Sequence, residues 1–161
     1  MKKNLFVLYM LSIGLLLGAC KKEVKKPEEP DYTNFKILSV KVTAMPFLDG
    51  SNTTWDPSGG APDVFFKMET ANNTVLYDGS SSRLNDVLSS DLPLGWSFVN
   101  AYQITNLTVT HYVTLYDYDT LDPNDLIGYV GFSMQDHKDG YPKTITKTSG
   151  SLTISITGEW Y

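Results

Sequence analysis

Four aspartates, Asp117, Asp119, Asp122 and Asp125, fall inside "YDYDTLDPNDLIG" (116–128). A second pair, Asp56 and Asp63, flanks a Gly-Gly turn in "TWDPSGGAPDVFFK" (54–67). Carboxylates at this density do one of two things. They decorate a solvated turn, where Asp, Asn and Pro need no further reason to stand. Or they converge on a cation, because carboxylates brought together without a counter-ion repel one another. A hard ion such as Ca²⁺ takes about six to eight oxygen ligands in flexible geometry, and these residues supply that chemistry. Asp117 and Asp119 are two apart, so they leave an extended segment on one side. Asp122 and Asp125 come around the following turn and can close on the same point. Zinc is poorly matched: the only histidines, His111 and His137, have no second soft ligand near them. An EF-hand loop counted from Asp117 would need Gly at position 122 and Glu at position 128, where the chain has Asp122 and Gly128.

For the two acidic segments to act together, the fold must bring them to one place. The chain between 35 and 161 reads as β almost throughout. Runs rich in Val, Ile, Thr, Tyr and Phe occupy 35–45, 64–70, 74–81, 95–103, 107–119, 126–134, 143–148 and 151–161. Gly, Pro, Asn, Asp and Ser clusters separate them. In the first run Ile37, Ser39 and Lys41 fall opposite Leu38, Val40 and Val42, a period of two. Only 83–91 offers helical spacing, with Leu84, Val87 and Leu88 able to line one turn or two. Short strands at this spacing predict an all-β fold, an eight-stranded antiparallel Greek-key β-sandwich over 35–161. The pair Asp56/Asp63 then lies between strands one and two, and the cluster 117–125 between strands five and six. Loops at alternate strand ends collect at one end of a sandwich, so the two acidic loops can meet.

These residues resemble the C2 domain family. Its third calcium loop reads Asp-x-Asp-x-x-(Ser/Asp)-x-x-Asp-x-Ile-Gly. The chain matches each fixed position from Asp117 through Gly128. The family's first loop runs from an Asp through Gly to an Asp that opens the next strand, and "DPSGGAPDVFFK" has that form. It departs by one extra residue between Asp56 and Asp63 and by Pro62 before the second Asp. "LPLGWSFV" (92–99) is similar to the segment that leads into the family's fourth strand, with Trp96 and Phe98 in place. The resemblance implies Ca²⁺ as the cofactor, with Asp56, Asp63, Asp117, Asp119 and Asp125 as ligands. It also implies Asp122 as a peripheral ligand and the Tyr118 carbonyl as a backbone one. The extra loop-one residue bears most on Asp56. Calcium-dependent lipid docking, the family's best-known use, fits less well than plain ion binding. Leu121 stands at a loop tip, but Pro57 replaces a bulky tip residue, and 73–91 holds Arg83 as its only basic residue.

The N-terminus carries an address. "MKK" is a basic n-region and "LFVLYMLSIGLLLG" an apolar run of fourteen residues. That is too short for a comfortable membrane span and right for a secretory h-region. It ends in Leu17-Gly18-Ala19-Cys20, which resembles the lipobox of bacterial lipoproteins. The resemblance implies a signal peptide over 1–19 and lipid on Cys20, so that one partner is the membrane itself. Cys20 is the only cysteine, and no intrachain disulfide is possible. Residues 20–34 are charged and Pro-containing and read as a flexible linker. Lys21 directly after the cysteine implies the outer membrane by proteobacterial sorting rules. The short charged "KKE" that follows Cys20 weakly matches the export signal of some Bacteroidetes surface lipoproteins, so the leaflet stays open.

Between 35 and 161, seven basic side chains face fourteen acidic ones, a formal −7. That balance excludes a nucleic-acid partner and a broad polybasic face for anionic lipid. Paired carboxylates raise glycoside hydrolysis, but no His, Arg or aromatic cleft is marked beside them and no Gly-x-Ser-x-Gly motif occurs. The chain reads as a non-enzyme: a lipid-anchored calcium-binding module for recognition or structure, its partner at the loops a phospholipid, a glycan or a protein. The alternative is a calcium-dependent carbohydrate-binding sandwich, for which Trp55, Trp96, Trp160 and the tyrosines would supply the face. Packing in a β core is the commoner fate of such aromatics. A hydrolase comes third.

Overall fold

Among the described residues eight strands form in the order expected: β1 (Phe35–Ala44), β2 (Val64–Thr70), β3 (Val75–Asp78), β4 (Leu94–Ile104), β5 (His111–Asp117), β6 (Asp125–Phe132), β7 (Thr144–Ser149) and β8 (Leu152–Trp160). The computed structural model describes residues 30–56, 60–120 and 122–161. The signal segment, Cys20, most of the linker, Pro57 and Leu121 lie outside the described residues.

Two four-stranded sheets, ordered β4-β1-β8-β7 and β3-β2-β5-β6, face one another. Every strand pairing is antiparallel. The hairpins β2–β3, β5–β6 and β7–β8 stay within a sheet, the other connections change sheets, and β8 returns beside β1. This is an antiparallel β-sandwich with Greek-key connections. Alternating side chains supply the core: Val40 and Val42 from β1, Phe66 and Met68 from β2, Val113 and Leu115 from β5, Ile154 and Ile156 from β8.

Strict alternation over 35–45 would put Ile37 on the face opposite Val40, yet both are buried. The register of β1 against both neighbours shifts between Ile37 and Ser39. That bulge adds one residue and switches the inward phase, so Phe35 and Ile37 point in before it and Val40 and Val42 after it. The region 83–91 forms no α-helix. Leu84 makes an isolated bridge to Val64, Asp86 takes a left-handed backbone conformation at φ 51°, and only Ser89–Asp91 coil into a 3₁₀ turn. Its apolar residues are used as anchors of a loop: Val87 is buried and Leu84 packs on the core. The fifth strand starts at His111, later than its Thr- and Val-rich sequence predicts. Asn106 accepts the Thr108 N–H in a side-chain turn, and the Leu107 carbonyl accepts from the Gln135 N–H and the Ser133 hydroxyl.

The sandwich has two unlike poles. At one, the start of β1 meets the end of β8: Asn34 and Tyr161 exchange backbone hydrogen bonds at 3.2 and 3.1 Å. At the other, β5 ends on Asp117 directly beside Val64, the first residue of β2, and Asp125, the first of β6. The acidic loops are at this second pole.

Candidate functional site: an acidic pole

Asp117 is placed by register. Val113, Leu115 and Asp117 occupy successive inward positions of β5, so the carboxylate continues a row of core side chains and is 0% exposed. Its Oδ1 accepts the Asp63 N–H at 2.6 Å. Its Oδ2 is buried and has no hydrogen-bond partner among the described residues. Burial, with smaller additions from the charges of Asp56, Asp119 and Asp63 and against the Asp63 N–H, pushes the carboxyl up to about 6.

The loop between β1 and β2 delivers Asp56. Asp49 organises its first half, accepting the N–H groups of Ser51 at 2.9 Å and Thr53 at 2.8 Å. The Trp55 indole then donates to the Pro46 carbonyl at 3.2 Å and fixes the residue before Asp56. Gly60 lies against the Asp56 side chain: a Cβ there would stand 2.7 Å from the Asp56 Cβ and 3.0 Å from its Oδ2. The glycine in the Gly-Gly turn therefore makes room for this carboxylate. Burial raises the Asp56 carboxyl, helped by the charges of Asp63 and Asp86.

Asp119 follows Asp117 by two residues, and its N–H donates to Asn124 Oδ1 at 3.0 Å, which closes the β5–β6 loop on itself. Its carboxyl is also raised, by burial first and then by the charges of Asp125, Asp56 and Asp122. One carboxylate oxygen from each of Asp56, Asp117 and Asp119 lies within 4.8 Å of the others. The two acidic loops therefore meet, 61 residues apart in sequence at Asp56 and Asp117.

The remaining candidates stand around this trio. Asp63 ties the loops with its backbone, donating to Asp117 and accepting the Tyr118 N–H at 2.8 Å. Its carboxylate turns to the β3–β4 loop, where Oδ1 accepts the Asp86 N–H at 2.9 Å and Oδ2 lies 3.7 Å from Arg83 Nε. Asp125 pairs across from Asp117 in the β5–β6 ladder, and Asp122 sits in the loop between them. Both act on Asp119 through charge, while neither belongs to the three-residue group. Tyr118 puts its ring over the outer face of β2, at 6.2 Å from Phe65, and under the Arg83 guanidinium at 4.2 Å.

Asp86 and Asn124 shape this pole without having stood out in the sequence, and Arg83, marked there only as the lone basic residue of 73–91, stands beside the carboxylates where no arginine was expected. Asn124 reads as a turn former, and its cap on Asp119 needs the loop's closure to become visible. Arg83 and Asp86 come from a third loop, whose approach depends on the Val64–Leu84 bridge.

An all-oxygen trio with one buried, unpartnered oxygen suits a hard divalent cation, and Ca²⁺ fits the donor set. Each of the three tryptophans, by contrast, spends its indole N–H on a backbone carbonyl: Trp55 on Pro46, Trp96 on Ser82 at 2.9 Å and Trp160 on Pro142 at 2.9 Å.

No protein-family model matches the chain, and no curated protein does. Among solved structures it is similar to human group IVD cytosolic phospholipase A2. The form in complex with methyl γ-linolenyl fluorophosphonate and terbium chloride gives a TM-score of 0.47 at 16% identity, over 81% of this chain and 18% of that one. The complex with methyl γ-linolenyl fluorophosphonate alone gives 0.48 at 18% identity, over 80% and 17%. The chain thus spans less than a fifth of the phospholipase's length.

Proposed function

We propose that the chain is a lipid-anchored envelope protein whose β-sandwich is a calcium-binding, C2-like module with a recognition or structural role. The observation that carries the reading is Asp117. A fully buried carboxylate costs free energy unless it is paired. Among the described residues this one has a single N–H donor, an oxygen without a partner, and two further carboxylates within reach. A bound Ca²⁺ supplies the positive charge that such a group lacks. Asp56, Asp117 and Asp119 would hold it, and Asp122 and Asp125 would add negative potential around it.

The anchor rests on Leu17-Gly18-Ala19-Cys20 behind its apolar run. The chain enters β1 at the pole opposite the aspartates. The carbohydrate-binding alternative draws no support from the tryptophans, whose polar edges are engaged in packing. Calorimetric titration of the soluble domain with Ca²⁺ tests the reading. Saturable heat that EDTA abolishes is expected. No heat at millimolar Ca²⁺ would return the aspartates to the role of a solvated acidic turn.

A further inference from the structure

Arg83 is the one arginine of the chain, and the fold brings it to the acidic pole. Three contacts fix it there. Its Nε donates to Asn85 Oδ1 at 3.1 Å within its own loop. Its guanidinium lies 4.2 Å over the Tyr118 ring. The same Nε is 3.7 Å from Asp63 Oδ2, whose other oxygen takes the Asp86 N–H. Three loops therefore meet at Asp63, and its carboxylate already has a cation and a donor. Asp117, next to it, has an oxygen with no hydrogen-bond partner among the described residues, and Asp56 and Asp119 each bring an oxygen within 4.8 Å of an Asp117 carboxylate oxygen, in a group that does not include Asp63. The six loop aspartates are thus split into two environments, one with a resident positive charge and one without.

We propose that Arg83 is the built-in counter-ion of this pole: it holds Asp63 out of the ligand set, so that the site takes a single divalent cation among Asp56, Asp117 and Asp119. The inference rests on the cation-binding reading above and adds its stoichiometry and the residue that sets it. Two physical effects follow from one guanidinium. It neutralises the carboxylate that would otherwise complete a second ion's shell. It also places a positive charge beside the first ion and so weakens it. Stacking on Tyr118 orders the side chain, so the charge stays in place where a free surface arginine would drift into solvent. Arg83 is a positioning residue and touches no ion itself.

The test is calorimetric titration of Ca²⁺ into the wild type and into Arg83→Gln, Arg83→Lys and Asp63→Asn, with melting curves in EDTA to confirm folding. The wild type is expected to bind one ion per chain. Arg83→Gln should bind that ion about two- to fivefold more tightly, the range expected for losing one half-exposed charge, and should gain a second, weaker event. Arg83→Lys keeps the charge and should stay within about twofold of the wild type. Asp63→Asn should remain within about fivefold of wild type, whereas Asp119→Asn should lose binding by far more. Two ions in the wild type, an Arg83→Gln titration identical to wild type, or Asp63→Asn as damaging as Asp119→Asn would overturn the proposal while leaving the cation site intact. A wild type that binds no Ca²⁺ would overturn the cation reading, and this inference with it. Should Arg83→Gln fail to fold, the comparison of Asp63→Asn with Asp119→Asn still decides.

Discussion

Asp117→Asn should stabilise the metal-free protein at neutral pH, although it alters a fully buried residue. Asparagine keeps the shape and keeps an oxygen to accept the Asp63 N–H. It replaces the orphaned Oδ2 with an amide that can donate toward the carboxylates of Asp56 and Asp119. The magnitude follows from the acidity of the group. In the folded chain the carboxyl is pushed up to about 6, against about 3.9 for an ordinary aspartate. The folded state therefore binds the proton more tightly than the unfolded one, and stability falls as pH rises from about 4 through about 6. Above that window the full penalty is present. Two pKa units correspond to roughly 3 kcal/mol, an upper bound because water and small rearrangements screen the charge. A more realistic gain for the variant at pH 7 is about 1–3 kcal/mol, on the order of 5–10 °C in melting temperature for a domain of this size. The assay is thermal or urea denaturation in EDTA at pH 5 and pH 7. The wild type should be more stable at pH 5 than at pH 7, and the variant should show a much smaller difference. At pH 7 with millimolar Ca²⁺ the order should reverse, because only the wild type gains from the ion. A metal-free variant less stable than wild type at pH 7, or a wild type indifferent to pH between 5 and 7, would refute the burial argument.

Gly158→Ala should destabilise the sandwich by about 2 kcal/mol or more in chemical denaturation, because a Cβ there would run into the Lys36 carbonyl oxygen and the Phe35 ring; a variant within experimental error of wild type would show that β1 and β8 can part at that pole. Cys20→Ala should leave the protein as an unprocessed precursor or release it from the membrane fraction, and unchanged mass with unchanged detergent partitioning would dispose of the lipid anchor.

Much of this fold is written locally. The strands of the β2–β3, β5–β6 and β7–β8 hairpins are each bounded by turn residues, and alternation within them marks the inward face. The placement of Asp117 follows from the same rule, since it continues the Val113–Leu115 row. What escapes a local reading depends on contacts distant in sequence. The β1 bulge is invisible in "FKILSVKV" and is imposed by pairing with β4 and β8, which must bury both Ile37 and Val40. The loop at 83–91 has helical spacing, but tertiary pairing of Leu84 with Val64 and the left-handed Asp86 draw it out as a third wall of the acidic pole. For the same reason the division of labour among the aspartates is not legible. The sequence puts both Asp56 and Asp63 in the ligand set, and the extra loop-one residue bears on Asp56 rather than Asp63. In the fold Asp56 faces Asp117 and Asp119, and Asp63 turns its carboxylate to Arg83 and the Asp86 N–H.

The proposed function stands on a cation that completes the buried carboxylate of Asp117. A crystal of the domain soaked in millimolar Ca²⁺, with anomalous differences recorded, tests it most directly. An ion is expected about 2.3–2.6 Å from Asp117 Oδ2, with carboxylate oxygens of Asp56 and Asp119 in the same shell. An Asp117 Oδ2 that meets only water, or an ion bound elsewhere with this carboxylate left unpaired, would contradict it.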